Sequence, residues 1–271
     1  MTDVLPAPSR PRREGRGLPW PAILGAGTIG ALLLLWTAAS AFGWVSPVFL
    51  PSPARVWAAL VRAANDGYAN ALLWEHVAAS LWRVLAALFL TILIGVPIGL
   101  VIATSRIGRG ILDPVIEFIR PLPPLAYLPL IIIWCGIGEP SKILVIGIAM
   151  FAPIVISTAS GVRAASESQI RAALSFGATR WQMVREVLLP AALPSIFTGI
   201  RIALGAGWTT LVAAELVAAT RGIGYMIQSA AQFLVTDMVI AGILVISALA
   251  TVSELILRRA ERRLLPWVGK S

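Results

Sequence analysis

The 271-residue chain is 58% hydrophobic and 13% charged, with a mean hydropathy of +0.85, which is more apolar surface than one soluble core of this length can bury. Its formal net charge of +9 is spread between apolar runs instead of forming one stripe, so it argues for orientation in a bilayer and against a nucleic-acid partner. One cysteine, Cys135, and one histidine, His76, exclude a disulfide framework and supply too few ligands for a metal cluster.

The sequence predicts an all-α polytopic protein of about six spans. Residues 1–19, rich in Pro and Arg, read as a disordered cytoplasmic tail. The first span is expected from about Trp20 to Phe42, as an anchor that is not cleaved, because the apolar run exceeds a signal-peptide core even though Ala39-Ser40-Ala41 has the form of a cleavage site. Ser52-Pro53 then starts an amphipathic stretch to about Ala64, on the outer surface. Further spans are expected from about Leu81 to Thr104, Pro123 to Cys135, Ile143 to Gly161, Ala192 to Ala218 and Val239 to Leu257. In this arrangement sixteen Lys and Arg residues fall on one side and five on the other, with Arg201 inside the fifth span. The positive-inside rule puts both termini in the cytoplasm.

Breakers concentrate in the third span. Pro121, Pro123, Pro124 and Pro129 each remove a backbone donor that lipid cannot replace, so the segment is expected to face the bundle interior or a watery cavity. Pro123, Tyr127, Pro129, Trp134, Pro153 and Arg201 are the candidates for a translocation path. Gly95 and Gly99, around Pro97, read as a small-residue contact seam. The GxGxxG of Gly25, Gly27 and Gly30 is not a dinucleotide fingerprint, because no strand precedes it, and no GxxxxGK[ST] exists to cradle ATP. His76, beside Glu75, is expected in an interfacial or capping role. No nucleophile and base pair can be drawn around it, so no catalytic residue is expected.

Two charges in spans call for partners. Arg83 and Glu215, near the outer ends of the second and fifth spans, are expected to pair. Arg201 is expected either to border the path and favour an anion or to bond carbonyls freed near Pro129 or Pro153, the second being preferred.

The loop of residues 164–190 carries the most local information. Ser166 or Ser168 can cap a helix through about Phe176, Gly177 can end it, and Thr179 can cap a second helix that places Trp181, Val184, Val187 and Leu188 at helical spacing, with Pro190 stopping it at the membrane. A helix, a glycine turn and a second helix make a knob on which a soluble partner can dock.

Within this loop Ala172, Ala173, Gly177, Val187, Leu189 and Pro190 fall on the spacing of the EAA loop, E-A-A-x(3)-G-x(9)-I-x-L-P, with Arg171 in place of Glu and Val187 in place of Ile. The chain thereby resembles the membrane subunits of bacterial ATP-binding-cassette importers. Leu50-Pro51-Ser52-Pro53, Ser80-Leu81-Trp82-Arg83, Arg120-Pro121-Leu122-Pro123, Gly136-Ile137-Gly138-Glu139 and the run Thr198 to Glu215 are similar to the nitrate, sulfonate and taurine group.

The resemblance implies a type I importer (MetI-like) fold in the bacterial inner membrane, with a permease domain over 74–257 after a first helix and external segment at 20–73, and a basic cytoplasmic tail at 258–271. It implies a second copy of the permease, two cytoplasmic ATPases and an extracytoplasmic binding protein as partners, besides the lipid bilayer. ATP and Mg would be held by the ATPase and no cofactor by this chain. Ala172, Ala173, Leu174, Gly177, Ala178, Val187, Leu189 and Pro190 would form the loop that couples to the ATPase. The cargo would be a small solute such as a sulfonate, taurine or nitrate. A secondary transporter, or an intramembrane enzyme, is the alternative that these residues serve less well.

Overall fold

The computed structural model describes residues 20–267, so the tails expected at 1–19 and beyond residue 267 lie outside the described residues. The chain divides into two compact units, residues 1–53 and 54–271. In the first, helix α1, Trp20–Ala41, is apolar on every side. The Trp36 indole N–H donates to the Pro51 carbonyl at 3.0 Å, tying the chain after α1 back to it.

The second unit is helical throughout its described regular structure. It comprises α2 Pro53–Asn65, α3 Leu73–Thr104, α4 Arg106–Ile119, α5 Pro124–Cys135, α6 Glu139–Arg163 and α7 Glu167–Ser175. These are followed by α8 Arg180–Gln182, a π-helical stretch Met183–Leu188, α9 Leu189–Ala218, α10 Ile223–Gln232 and α11 Thr236–Leu264. Among the described residues five helices are long and apolar enough to cross a membrane, and the bent pair α4 and α5 raises the number to six if it is one span.

Five of the six expected spans fall on these long apolar helices and differ from them at their ends, while the third, Pro123–Cys135, falls on α5, the second half of the bent pair. Helix α3 starts eight residues before the expected Leu81, because Glu75 Oε2 accepts the Leu72 N–H at 2.8 Å and caps a polar first turn that hydropathy alone discounts. Helix α11 continues to Leu264, so Arg258, Arg259, Arg262 and Arg263, expected in a tail, stand on its last turns. Its 29 residues give roughly 43 Å at 1.5 Å per residue, more than about 30 Å of hydrocarbon. Helices α4 and α10 were not expected as helices. Both are amphipathic, with polar positions that break an apolar run.

Pro190 does not stop the helix as expected. The Leu189 N–H reaches Val184 O, one residue further back than in an α-helix, and this π-helical widening carries the chain past two prolines, Pro190 and Pro194, into α9. The segment Arg180–Val217 is consequently one long element.

Helix α6 is the centre of the bundle, with α3 on one side and α9 on the other. Glycine makes these contacts close. A Cβ on Gly99 would lie 2.6 Å from Thr158 Cβ and 2.8 Å from the Val155 carbonyl, so the seam expected around Pro97 is the α3–α6 contact. The core between these helices holds Val84, Ile146, Met150, Ile154, Ile196 and Leu211. Trp57, Trp74 and Trp82, on α2 and the start of α3, stay exposed, as suits residues at a headgroup layer.

Candidate coupling loop and transport path

The loop between α6 and α9 folds as two short helices joined by a turn. Ser166 takes the N-cap position of α7, and Gly177, at φ +76°, adopts the left-handed conformation that costs glycine nothing. The Ala178 N–H donates to Ala173 O at 3.1 Å and the Gly177 N–H to Leu174 O at 3.0 Å, closing the end of α7. Thr179 Oγ1 accepts the Gln182 N–H at 3.3 Å, while Gln182 Oε1 accepts the Thr179 N–H at 2.9 Å, a reciprocal cap for the second helix.

One face of this hairpin is anchored and the other is free. Ile170, Met183, Val184 and Leu189 pack on the core, and Leu188 belongs to it. Leu174, Phe176 and Trp181 project outward, with Phe176 91% exposed. Three large apolar side chains on a polar hairpin form a patch that suits a protein partner. Val187 and Pro190 line a cleft of about 480 Å³ with Gln169, Glu186 and Trp267, so the chain beyond α11 returns to the base of the hairpin.

At the opposite end of the bundle Arg83 and Glu215 meet. Arg83 Nη1 donates to Glu215 Oε1 at 2.5 Å and to the Arg221 carbonyl at 2.8 Å. Its Nε and Nη2 form a two-pronged contact with Glu139, both at 2.7 Å. Glu215, 0% exposed, also accepts from Ser80 Oγ and from the Gly224 N–H, each at 2.7 Å. Lys142 joins at Glu139, 3.0 Å away, so two cations face two carboxylates. The cluster ties α3, α6 and α9 to the turn before α10.

His76, expected in an interfacial or capping role, is fully buried beside this cluster. Its Nδ1 accepts the Gly222 N–H at 3.0 Å, which leaves Nε2 to donate to Tyr68 O at 2.9 Å.

The expected path residues separate. Tyr127 borders two openings, an apolar groove of about 940 Å³ between α3, α5 and α6 that also reaches Trp134, and a smaller cavity of about 390 Å³ that reaches Pro153. Pro123 is the N-cap of α5 and Pro129 lies within that helix. Helix α5 packs on the bundle along one face only. Leu128 and Ile131 pack on α6, while Leu125, Leu130, Ile133 and Trp134 are exposed in the single chain.

Arg201 turns away from both prolines. Its Nη2 donates to Glu261, and its Nε lies 3.3 Å from Glu254 Oε1, both on α11, while the next residue, Ile202, borders the smaller cavity. Carboxylates thus replace the freed carbonyls expected as its partners. Glu261 lies beyond the expected span end at Leu257, on polar turns, whereas Glu254 lies inside the expected span.

Residues 95–266 match the family described as "Binding-protein-dependent transport system inner membrane component". The chain is a member of that family. It is 52% identical to the taurine transport system permease protein TauC of Escherichia coli K12 over 256 residues, which is 93% of each chain. It is 36% identical to the putative aliphatic sulfonates transport permease protein SsuC of the same organism, over 87% of this chain and 88% of the relative. The bicarbonate transport system permease protein CmpB of Synechococcus elongatus is 34% identical over 86% of this chain and 84% of its own. In fold the chain is similar to the permease chain in inward-facing structures of the MetNI methionine ABC transporter, with a TM-score of 0.58 at 20% identity, covering 69% of this chain and 95% of that one.

The protein is therefore an ABC-importer permease of the taurine and sulfonate group, a non-enzymatic membrane subunit with the fold of methionine-importer permeases. The secondary-transporter and intramembrane-enzyme alternatives fall away. For the permease, the partners of Arg201 change what its replacement should do. Arg201→Gln leaves Glu254 with Arg258, 2.8 Å away, but strips Glu261 of its guanidinium. We expect a lower yield of folded permease, with transport per assembled complex unchanged. Size-exclusion yield and uptake, measured separately, check this, and normal yield with lost uptake would place Arg201 in the path.

Proposed function

We propose that the permease works as a pair of copies, joined to two cytoplasmic ATPases and served by an extracytoplasmic binding protein, with both of its termini in the cytoplasm. The hairpin of α7 and α8, with Ala172, Ala173, Leu174, Gly177, Ala178, Val187, Leu189 and Pro190, docks on the ATPase. Nucleotide-driven closure of the ATPases moves the hairpin, and through the continuous element Arg180–Val217 it biases the bundle between inward-open and outward-open states. The observation that carries this reading is the exposed patch of Leu174, Phe176 and Trp181 on a hairpin anchored to the core. The cargo is a small organic or inorganic anion, most simply a sulfonate such as taurine. Support comes from relatives described as carriers of taurine, aliphatic sulfonates and bicarbonate.

Orientation is tested with single cysteines in a Cys135→Ser background. We expect Gly138→Cys and, near Gly224, Thr220→Cys to react with an impermeant maleimide added outside whole cells and Ser175→Cys only after lysis. Labelling of Ser175→Cys from outside would overturn the orientation. Cargo is tested by competition for [³⁵S]taurine uptake in cells that express the complete importer. We expect ethanesulfonate to compete and analogues of the same size that lack an anionic group not to. Uptake of neither taurine nor any sulfonate would remove the anion reading.

A further inference from the structure

The smaller cavity has a composition that its surroundings do not. Arg120, Tyr127 and Ser157 line it among Ile, Leu, Ala and Pro side chains, and its volume is about 390 Å³, within the range of about 300 to 1,000 Å³ usual for small-molecule sites. Among the described residues no ion pair or side-chain hydrogen bond engages any of these three groups.

The cavity lies at the bend between α4 and α5. Arg120 ends α4, and the prolines at 121, 123 and 124 supply no N–H, so the chain turns by 105° into α5. The α6 wall of the cavity runs from Ile148 to Ser157, roughly 14 to 27 Å along the helix from Glu139. With α4 and α5 as one bent span, Arg120, whose side chain is exposed in the single chain, stands at membrane depth and not in the cytoplasmic loop expected from the span count. Arg83, Lys142 and Arg201 each face a carboxylate. A guanidinium at this depth with no carboxylate calls for an anion or water in front of it.

We infer that Arg120, Tyr127 and Ser157 form an anion station in the permease itself, which receives the sulfonate or carboxylate head of the cargo on its way through. The planar guanidinium offers two parallel N–H donors to such a head, and the two hydroxyls can supply further donors. The inference rests on the reading of the cargo as an anion. It moves the positive charge of the path from Arg201, which carboxylates neutralise, to Arg120.

The test uses the permease with its ATPase in nanodiscs, carrying Ser157→Cys in the Cys135→Ser background. Two thiol reagents of similar size are compared, 2-sulfonatoethyl methanethiosulfonate, whose tail is an ethanesulfonate, and its trimethylammonium counterpart. We expect the anionic reagent to react about tenfold faster than the cationic one, as a cleft of one charge sign favours the opposite ion. Adding Arg120→Gln should bring the ratio to about one or invert it, and Arg120→Lys should keep most of the preference.

A ratio unmoved by Arg120→Gln, or a Cys at 157 that neither reagent reaches, would overturn the station. In proteoliposomes Arg120→Gln alone should lower taurine uptake per assembled complex about tenfold, with Arg120→Lys affected less. If the wild type imports taurine and Arg120→Gln does so equally, the station falls and the cargo reading stands. If the wild type imports no sulfonate while the thiol preference persists, the cargo reading falls and the anion site stands.

Discussion

Arg83→Ala is expected to remove most of the folded permease from the membrane. The substitution leaves Glu215, 0% exposed, with donors from Ser80 and Gly224 but no opposite charge, and it leaves Glu139 with Lys142 alone. Removing one partner of a buried pair costs about 3 to 5 kcal/mol, a large part of the roughly 5 to 15 kcal/mol that holds a typical domain together. Glu215→Gln should be milder, because an amide still accepts from Ser80 or Gly224. The double variant Arg83→Ala with Glu215→Leu should recover part of the loss, since it removes the stranded charge. Thermal unfolding and size-exclusion profiles in detergent report the order. Arg83→Ala with wild-type yield and unfolding temperature would show that the cluster does not hold the outer end of the bundle.

The largest functional effect is expected at the hairpin. Gly177 has φ +76°, where an L side chain costs on the order of 1 to 2 kcal/mol, and it is exposed at the tip, so Gly177→Asp tilts the turn without touching the core. Ala173→Arg adds a bulky cation beside the Leu174, Phe176 and Trp181 patch. Both variants should insert and purify like the wild type yet lose at least about 90% of uptake, equivalent to roughly 1.4 kcal/mol or more of lost docking. Co-purification of the ATPase should fall in parallel. Wild-type uptake in both variants would remove the hairpin from the mechanism.

What could be read in the sequence followed the periodic signals. The long spans, the α3–α6 glycine seam and the hairpin with its Gly177 turn come from apolar length, small-residue spacing and cap chemistry, which are local. The ends of helices were harder. Glu75 extends α3 and Glu261 rides on α11, and in both places charged residues belong to a helix that hydropathy stops short.

Long-range polar contacts were legible only in part. Charge economy suggested Arg83 with Glu215, but not Glu139, which lies 56 residues from Arg83, nor His76, whose partner Gly222 lies 146 residues away. Arg120, expected in a cytoplasmic loop, stands at the 105° bend between α4 and α5, where three prolines interrupt the apolar run.

The central claim is that this chain is the membrane path of an ATP-driven importer, and one measurement bears on it directly. The permease is reconstituted in proteoliposomes with its ATPase, and [³⁵S]taurine is supplied with the binding protein on the face opposite the ATPase. ATP on the ATPase side should drive accumulation of taurine against its gradient, and the same vesicles without the ATPase should accumulate none, whatever ion gradient is imposed. Accumulation driven by a proton or sodium gradient through the permease alone would contradict the account.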